Sequence, residues 1–329
     1  MNKQGLMTLG CALLLLTITF AGTPGAFAAE KPFTEWLQEL RAEALQRGIS
    51  KQTLEAALTG IEPIPRVIEL DRKQAEFSLT FQQYQERVVS PARINTGRRL
   101  LAENRALLAD VSKKYGVQSQ FIVALWGIET DFGRLTGDFL VVDSLATLAY
   151  DGRRSKFFRG ELHNALKILD EGHISPADMK GSWAGAMGQS QFMPSSFLSF
   201  AADYDGDGRR DIWNTRADVF ASAANYLSRS GWRDDQTWGR AIRLPSSFNQ
   251  SLAGVDTRKT IDQWQALGVR LPDGSALPAR QLSASIIIPE KDNPAVAFLV
   301  YPNFRTTLKW NRSNYFALAV GLLSDAIAH

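Results

Sequence analysis

The chain has 329 residues, 45% of them hydrophobic and 22% charged, enough to bury a sizeable core and outside the range of disordered proteins. A formal charge of +3, with no block of Lys and Arg, argues against a nucleic-acid partner and tolerates an acidic polymer. Cys11 is the only cysteine, which excludes a disulfide framework.

Lys3, an apolar run from about Leu6 to Ala21 and the small-residue context of Ala26-Phe27-Ala28 predict a secretory signal peptide over residues 1–28, cleaved after Ala28 or Ala29. The run is short for an uncleaved bilayer anchor. Leu13 to Leu16 follow Cys11, so this cysteine is not placed where a lipid would be attached. The expectation is an exported, periplasmic monomer with no membrane span in its mature part.

Residues 30–115 read as an N-terminal region of amphipathic helices, with Phe33, Trp36, Leu37 and Leu40 at helical spacing and a break at Ile61 to Pro65. A further helical element from about Phe77 to Val89 carries Tyr84, which taken alone is a core or surface aromatic.

The stretch from Phe121 to Gly133 places one carboxylate, Glu129, inside an apolar run. Ile122, Trp126 and Glu129 fall at i, i+4 and i+7, and Leu125 lies four residues before the glutamate, so its helical flanks are mostly apolar. Burial disfavours the charged form of a carboxyl group, which suits a general acid. The alternative is a glutamate that reaches the surface past Gly127 or caps a neighbouring helix. Asp131, Asp138 and Asp143 are the nearby candidates for a second carboxylate, and Asp131 is expected to be structural.

A short apolar segment from Val142 to Tyr150 leads to Arg153 and Arg154, an adjacent pair that usually marks a solvated face, and then to a helix from about Lys156 to Asp170. His163, His173 and His329 are too scattered for a metal cluster or a nucleophile-base pair. From Gly181 to Ser196 the chain combines glycines, the Gln189 and Gln191 amides, and bulky apolar residues. Close backbone approach, amide donors and acceptors, and flat apolar faces together suit a glycan. A tight inter-helix loop with an N-cap at Ser195 or Ser196 would account for the glycines alone.

Asp203, Asp205 and Asp207 alternate ahead of Gly208, the spacing of an EF-hand-type calcium loop with the Arg209 carbonyl at its seventh position. Asn214 stands at the twelfth position where a bidentate glutamate is expected, leaving either a weak site or a longer loop, 203–218, completed by Asp218. A turn that binds nothing is the competing reading. Asp218 to Arg229 then reads as a helix with Tyr226 at its edge. Residues 116–243 form the expected catalytic core. Residues 244–329 complete it with a turn-rich segment, a β-hairpin from Ser283 to Val300, and a helix from about Asn314 to Ala326 capped by Ser313.

Taken in order, Gly127-Ile128-Glu129-Thr130, Gly185-Ala186-Met187-Gly188 with Gln191-Phe192-Met193-Pro194-Ser195, Asp205-Gly206-Asp207-Gly208 and Ala224-Asn225-Tyr226 resemble the B-type family of lytic murein transglycosylases. The resemblance implies a mainly α (α+β), lysozyme-like fold, structural Ca2+ and no organic cofactor. It also implies cleavage of the β-1,4 bond between N-acetylmuramic acid and N-acetylglucosamine in peptidoglycan, leaving 1,6-anhydromuramic ends. By position, Glu129 corresponds to the single catalytic acid/base. Ser182, Gln191, Phe192 and Met193 correspond to sugar-subsite residues, and Tyr84, Arg153, Arg154, Tyr226 and Asn311 to further cleft positions. Trp310 stands where the family commonly has tyrosine, and Gln189-Ser190 also depart from its usual choice. A hydrolytic muramidase or chitinase, and a non-catalytic calcium-stabilised glycan-binding protein, are the competing functions.

Overall fold

The computed structural model describes residues 31–73 and 79–329. The expected signal peptide, Cys11 and the start of the element expected from Phe77 lie outside the described residues.

The first half is helical: α1 (Phe33–Gln46), α2 (Lys51–Leu58), α3 (Pro65–Arg72), α4 (Phe81–Val88), α5 (Pro91–Glu103), α6 (Arg105–Tyr115) and α7 (Ser119–Thr130). There follow β1 (Phe139–Leu140), α8 (Val141–Tyr150), α9 (Ser155–Asp170), β2 (Lys180–Gly181), α10 (Pro194–Phe200) and α11 (Arg216–Arg229). The remainder mixes strands and helices: β3 (Gly239–Ile242), β4 (Lys259–Thr260), α12 (Ile261–Ala266), β5 (Ser283–Ile287), β6 (Ala297–Val300), α13 (Pro302–Trp310) and α14 (Asn314–Ala328). No described helix is long and apolar enough to cross a membrane.

Local chemistry sets the helix ends. Ser50, Ser90 and Ser313 each accept a hydrogen bond from the third residue of the helix that follows. Thr80 and Gln83 form a reciprocal capping box at α4. Gly116 ends α6 in the left-handed conformation, φ 65°.

The chain gathers into two compact units, each discontinuous in sequence. One contains the described part of residues 1–76 with Glu129–Ala223; the other contains the described part of residues 77–128 with Ala224–His329. The boundaries fall inside α7 and α11.

In the first unit α8 packs along α9, which also receives α10 and α2. Phe158, Leu162, Ala165, Leu166 and Leu169 are buried at helical spacing on α9. β1 and β2 pair antiparallel, Phe139 opposite Gly181, which anchors one end of the glycine-rich loop.

In the second unit the expected hairpin is present as β5 and β6, with Ile286 opposite Leu299. It forms the centre of a four-stranded antiparallel sheet in the order β3-β6-β5-β4. Trp264, Ile242, Ile261, Ile286 and Leu299 form a buried cluster on this sheet. α14 packs on α4, α5 and α13.

Candidate active site

Glu129 lies in the last turn of α7 and is only 7% exposed. The preceding residues Phe121 to Trp126 are all buried, so this helix is apolar all round, as expected of one at the centre of a protein. The helix ends on three successive left-handed residues, Asp131 (φ 50°), Phe132 (φ 60°) and Gly133 (φ 83°). Such angles strain side-chain-bearing residues and persist where the surroundings fix them. Two bonds help to fix this turn: Gly133 N donates to Thr130 Oγ1 at 3.0 Å, and Leu135 N donates to Thr130 O at 2.8 Å.

The nearby aspartates are otherwise placed. Asp131 accepts from Arg134 Nε at 2.8 Å, a local pair in keeping with the structural role expected of it. Asp138 is exposed. Asp143 lies in the first turn of α8, where burial pushes its carboxyl up from the usual range.

The glycine-rich loop folds back on itself through the bridges Gly181 to Met187 and Met187 to Phe192. Ser182 is buried; its hydroxyl accepts from Ala186 N at 3.1 Å. Gly188 has φ 62°, and a Cβ there would lie 2.7 Å from Ile212 O, so no side chain fits. Gln191 is also left-handed, φ 48°. Its Nε2 donates to Thr136 O at 3.0 Å and Gly188 O at 3.1 Å, leaving Oε1 as the acceptor end. Phe192 is buried and Met193 half-buried.

The cap of α10 is not Ser195 or Ser196. Met193 is the N-cap and Pro194 opens the helix. The buried Glu161 of α9 satisfies the helix end instead, accepting from Ser195 N at 2.8 Å and Ser195 Oγ at 2.7 Å. Glu161 follows the helical period of its own segment, and nothing local in the sequence connects it to a helix end 34 residues away.

Arg153 and Arg154 converge on Asp71 of α3, a carboxylate 1% exposed. Arg153 Nε lies 3.1 Å from Asp71 Oδ2, and Arg154 Nη2 pairs with Oδ1. The Arg154 guanidinium also lies 4.8 Å over the Phe158 ring. This pair is more than a solvated face, because a buried anion holds it.

Asp203, Asp205 and Asp218 each offer an oxygen within 4.8 Å of the others. Burial pushes the Asp218 carboxyl up to about 6, with like charge from Asp205 and Asp203 adding to the effect. An all-oxygen set under mutual repulsion fits a hard divalent cation such as calcium. Asp218, which is fully buried, also accepts from Tyr204 N and Asp211 N, both at 2.7 Å. Asp207 lies outside this cluster: its carboxylate accepts from Arg209 N at 2.8 Å and pairs with the Arg209 guanidinium.

In the second unit, Tyr226 donates to Lys309 O at 2.6 Å and meets the Trp310 ring edge-on at 4.8 Å. Burial raises the Tyr226 phenol above its usual pKa. Asn311 ends α13, and its Oδ1 accepts from Ser313 N at 3.0 Å. Tyr226, Trp310 and Asn311 therefore share the junction of α11 and α13. Tyr84 is in another cluster, with Val88, Ala319 and, at 5.8 Å, Tyr315.

The sequence family described as Transglycosylase SLT domain matches residues 32–325. Membrane-bound lytic murein transglycosylase B of Escherichia coli (strain K12) is 31% identical over 298 residues, covering 86% of this chain and 80% of that protein. The crystal structure of SltB3 from Pseudomonas aeruginosa in complex with NAG-anhNAM-pentapeptide superposes with a TM-score of 0.88 at 43% identity, covering 91% of this chain and 80% of that one. Escherichia coli Slt35 in complex with calcium superposes with a TM-score of 0.77 at 27% identity, covering 92% and 95%.

Proposed function

The chain belongs to the Transglycosylase SLT domain family, and from that premise we propose that it is a lytic transglycosylase of bacterial peptidoglycan with Glu129 as acid and then base. The observation that carries this reading is the burial of Glu129 on an apolar helix, while Asp131, the acid nearest in sequence, is engaged with Arg134. In this reading Glu129 is the proton donor that general acid catalysis requires.

Glu129 gives its proton to the glycosidic oxygen as the bond to the muramic C1 breaks, and the neighbouring acetamido oxygen closes on C1. The resulting carboxylate then removes the C6 hydroxyl proton while O6 displaces the acetamide from C1. The ring closes as 1,6-anhydromuramic acid, Glu129 is protonated again, and no water is consumed. Substrate assistance of this kind removes the need for a second carboxylate. The anhydro-sugar in the SltB3 complex supports this product for the present chain.

Ser182, Gln191, Phe192 and Met193 line the sugar sites beside Glu129 in this reading, and Tyr84, Tyr226 and Asn311 are read as sugar contacts of the second unit. The Ser182 hydroxyl accepts from the Ala186 amide, so its own hydrogen can go to a sugar oxygen. Arg153 and Arg154 offer guanidinium donors to the carboxylates of muramic acid or its peptide. Asp203, Asp205 and Asp218, with the Arg209 carbonyl, would hold a structural calcium ion, which would neutralise their charge and supply no chemistry. The calcium complex of Slt35 supports this assignment. The protein works in the periplasm.

Purified sacculi digested by the native chain and by Glu129→Gln test the assignment. The amide keeps the shape and cannot exchange the proton, so turnover falls by at least ~100-fold to ~10,000-fold. Equal turnover by both proteins would move the chemistry to another residue.

A further inference from the structure

We propose that Gln189 is a positioning residue for Glu129, locking the end of α7 to the turn at Ile212-Trp213 through both its backbone and its side chain. The inference rests on Glu129 being the catalytic group.

Gln189 is bound on every side. Its backbone N donates to Ile212 O at 2.8 Å and its Nε2 donates to Trp213 O at 2.7 Å. Its backbone O accepts from Thr130 Oγ1, on the residue after Glu129, at 3.0 Å. Its side chain also occupies the space that a Cβ on Gly133 would need, with Gln189 Cδ 2.7 Å from that point. The turn that follows Glu129 is therefore shaped around this one side chain.

The far end of the link is braced. Asp211 Oδ1 accepts from Trp213 N and Asn214 N, both at 2.9 Å, and the Trp213 indole donates to Lys180 O at 2.9 Å. Asp211 N is held in turn by Asp218. A hydrogen-bonded path thus runs from a buried carboxylate through Asp211, Trp213 and Gln189 to Thr130. Because the acceptor on Trp213 is a carbonyl, the residue at 189 must bring a donor at the reach of a glutamine. Methionine fills the space without the bond, and glutamate sets an oxygen against an oxygen.

A catalytic carboxyl group works only within a fraction of an ångström of its productive position, and a displacement of about 1 Å can cost on the order of 100-fold. Loss of the Gln189 amide should therefore act on the chemical step and leave sugar binding in place.

The test compares native protein, Gln189→Met, Gln189→Glu, Gly133→Ala, Gln189→Ala, the Gly133→Ala/Gln189→Ala double variant and Glu129→Gln on solubilised glycan strands. Thermal unfolding is recorded for each. Both Gln189→Met and Gln189→Glu should lower kcat by roughly 10-fold to 100-fold, with KM within about twofold and little change in melting temperature. Gly133→Ala should lower kcat in both backgrounds, because φ 83° strains any residue with a side chain, but clearly less once Gln189 is alanine, because the side chain it collides with is gone.

Unchanged kcat in both folded Gln189 variants would overturn the proposal. A shared rise in KM, a collapse in melting temperature, or an equal cost of Gly133→Ala in both backgrounds would also overturn it. Full turnover by Glu129→Gln would remove the reading beneath the proposal, whereas loss there with unaltered kcat at Gln189 removes the proposal alone.

Discussion

Arg154 adopts a left-handed backbone, φ 59°, at the start of α9, and its guanidinium is ion-paired with Asp71, a carboxylate 1% exposed. Removing one partner of a buried pair leaves the other charge stranded, at a cost of about 3–5 kcal/mol when both are fully buried. Here Arg153 and Arg154 both reach water, so Asp71→Ala should cost about 2–3 kcal/mol in urea unfolding. A loss below about 0.5 kcal/mol, ordinary for a surface change, would mean that the pair is held by something else.

Calcium should raise the melting temperature through the cluster of Asp203, Asp205 and Asp218. A ligand that binds only the folded state stabilises it by about 2.7 kcal/mol at a hundredfold excess over its dissociation constant. Asp205→Ala should abolish the calcium increment, whereas Asp207→Ala should leave most of it because that carboxylate faces Arg209. The reverse ranking, in calcium titrations followed by thermal unfolding, would contradict the cluster.

These two sites also mark how far the sequence could be read. Alternating aspartates before Gly208 are a local pattern, and the idea that Asp218 completes the loop needed only chain order. The turning of Asp207 towards Arg209 depends on the path of the loop, which the spacing does not specify. Likewise, apolar spacing was enough to outline α7, α9 and α14. Asp71 and Glu161 act on residues distant in sequence, and their own helices give no sign of it. α13 was missed because Asn303, Thr306 and Thr307 are buried polar residues that blur its apolar face. β3 and β4 are too short and too turn-flanked to display a period.

Acid stability should depend on His163, which is 5% exposed. Burial pushes its pKa below the ordinary 6.5, outweighing the opposing Glu43 carboxylate. A depressed folded pKa means that its contribution is fully present above pH 6.5 and lost as pH falls through the lower folded value. His163→Gln should flatten the fall in stability below pH 6.5, measured by denaturant unfolding across that range. An unchanged pH slope would show that this histidine is protonated as readily in the folded state.

Gly321 of α14 lies against the Trp238 indole, and a Cβ there would fall 2.6 Å from Cγ of that ring. Trp238 is 2% exposed and its Nε1 donates to Asp325 Oδ2 at 2.9 Å, so it cannot easily withdraw. Gly321→Ala should therefore destabilise by about 1–3 kcal/mol despite the better helix propensity of alanine. A stabilised variant in thermal unfolding would contradict this packing.

In the proposed reaction the C6 hydroxyl, deprotonated by Glu129, takes the place of water. Digestion of sacculi in water enriched in heavy oxygen, followed by mass spectrometry of the soluble muropeptides, tests it most directly. Ring closure by the C6 hydroxyl should give muramic ends that are one water lighter than hydrolysis products and carry no heavy oxygen at C1. Reducing muramic ends labelled at C1 would contradict it and identify the enzyme as a hydrolytic muramidase.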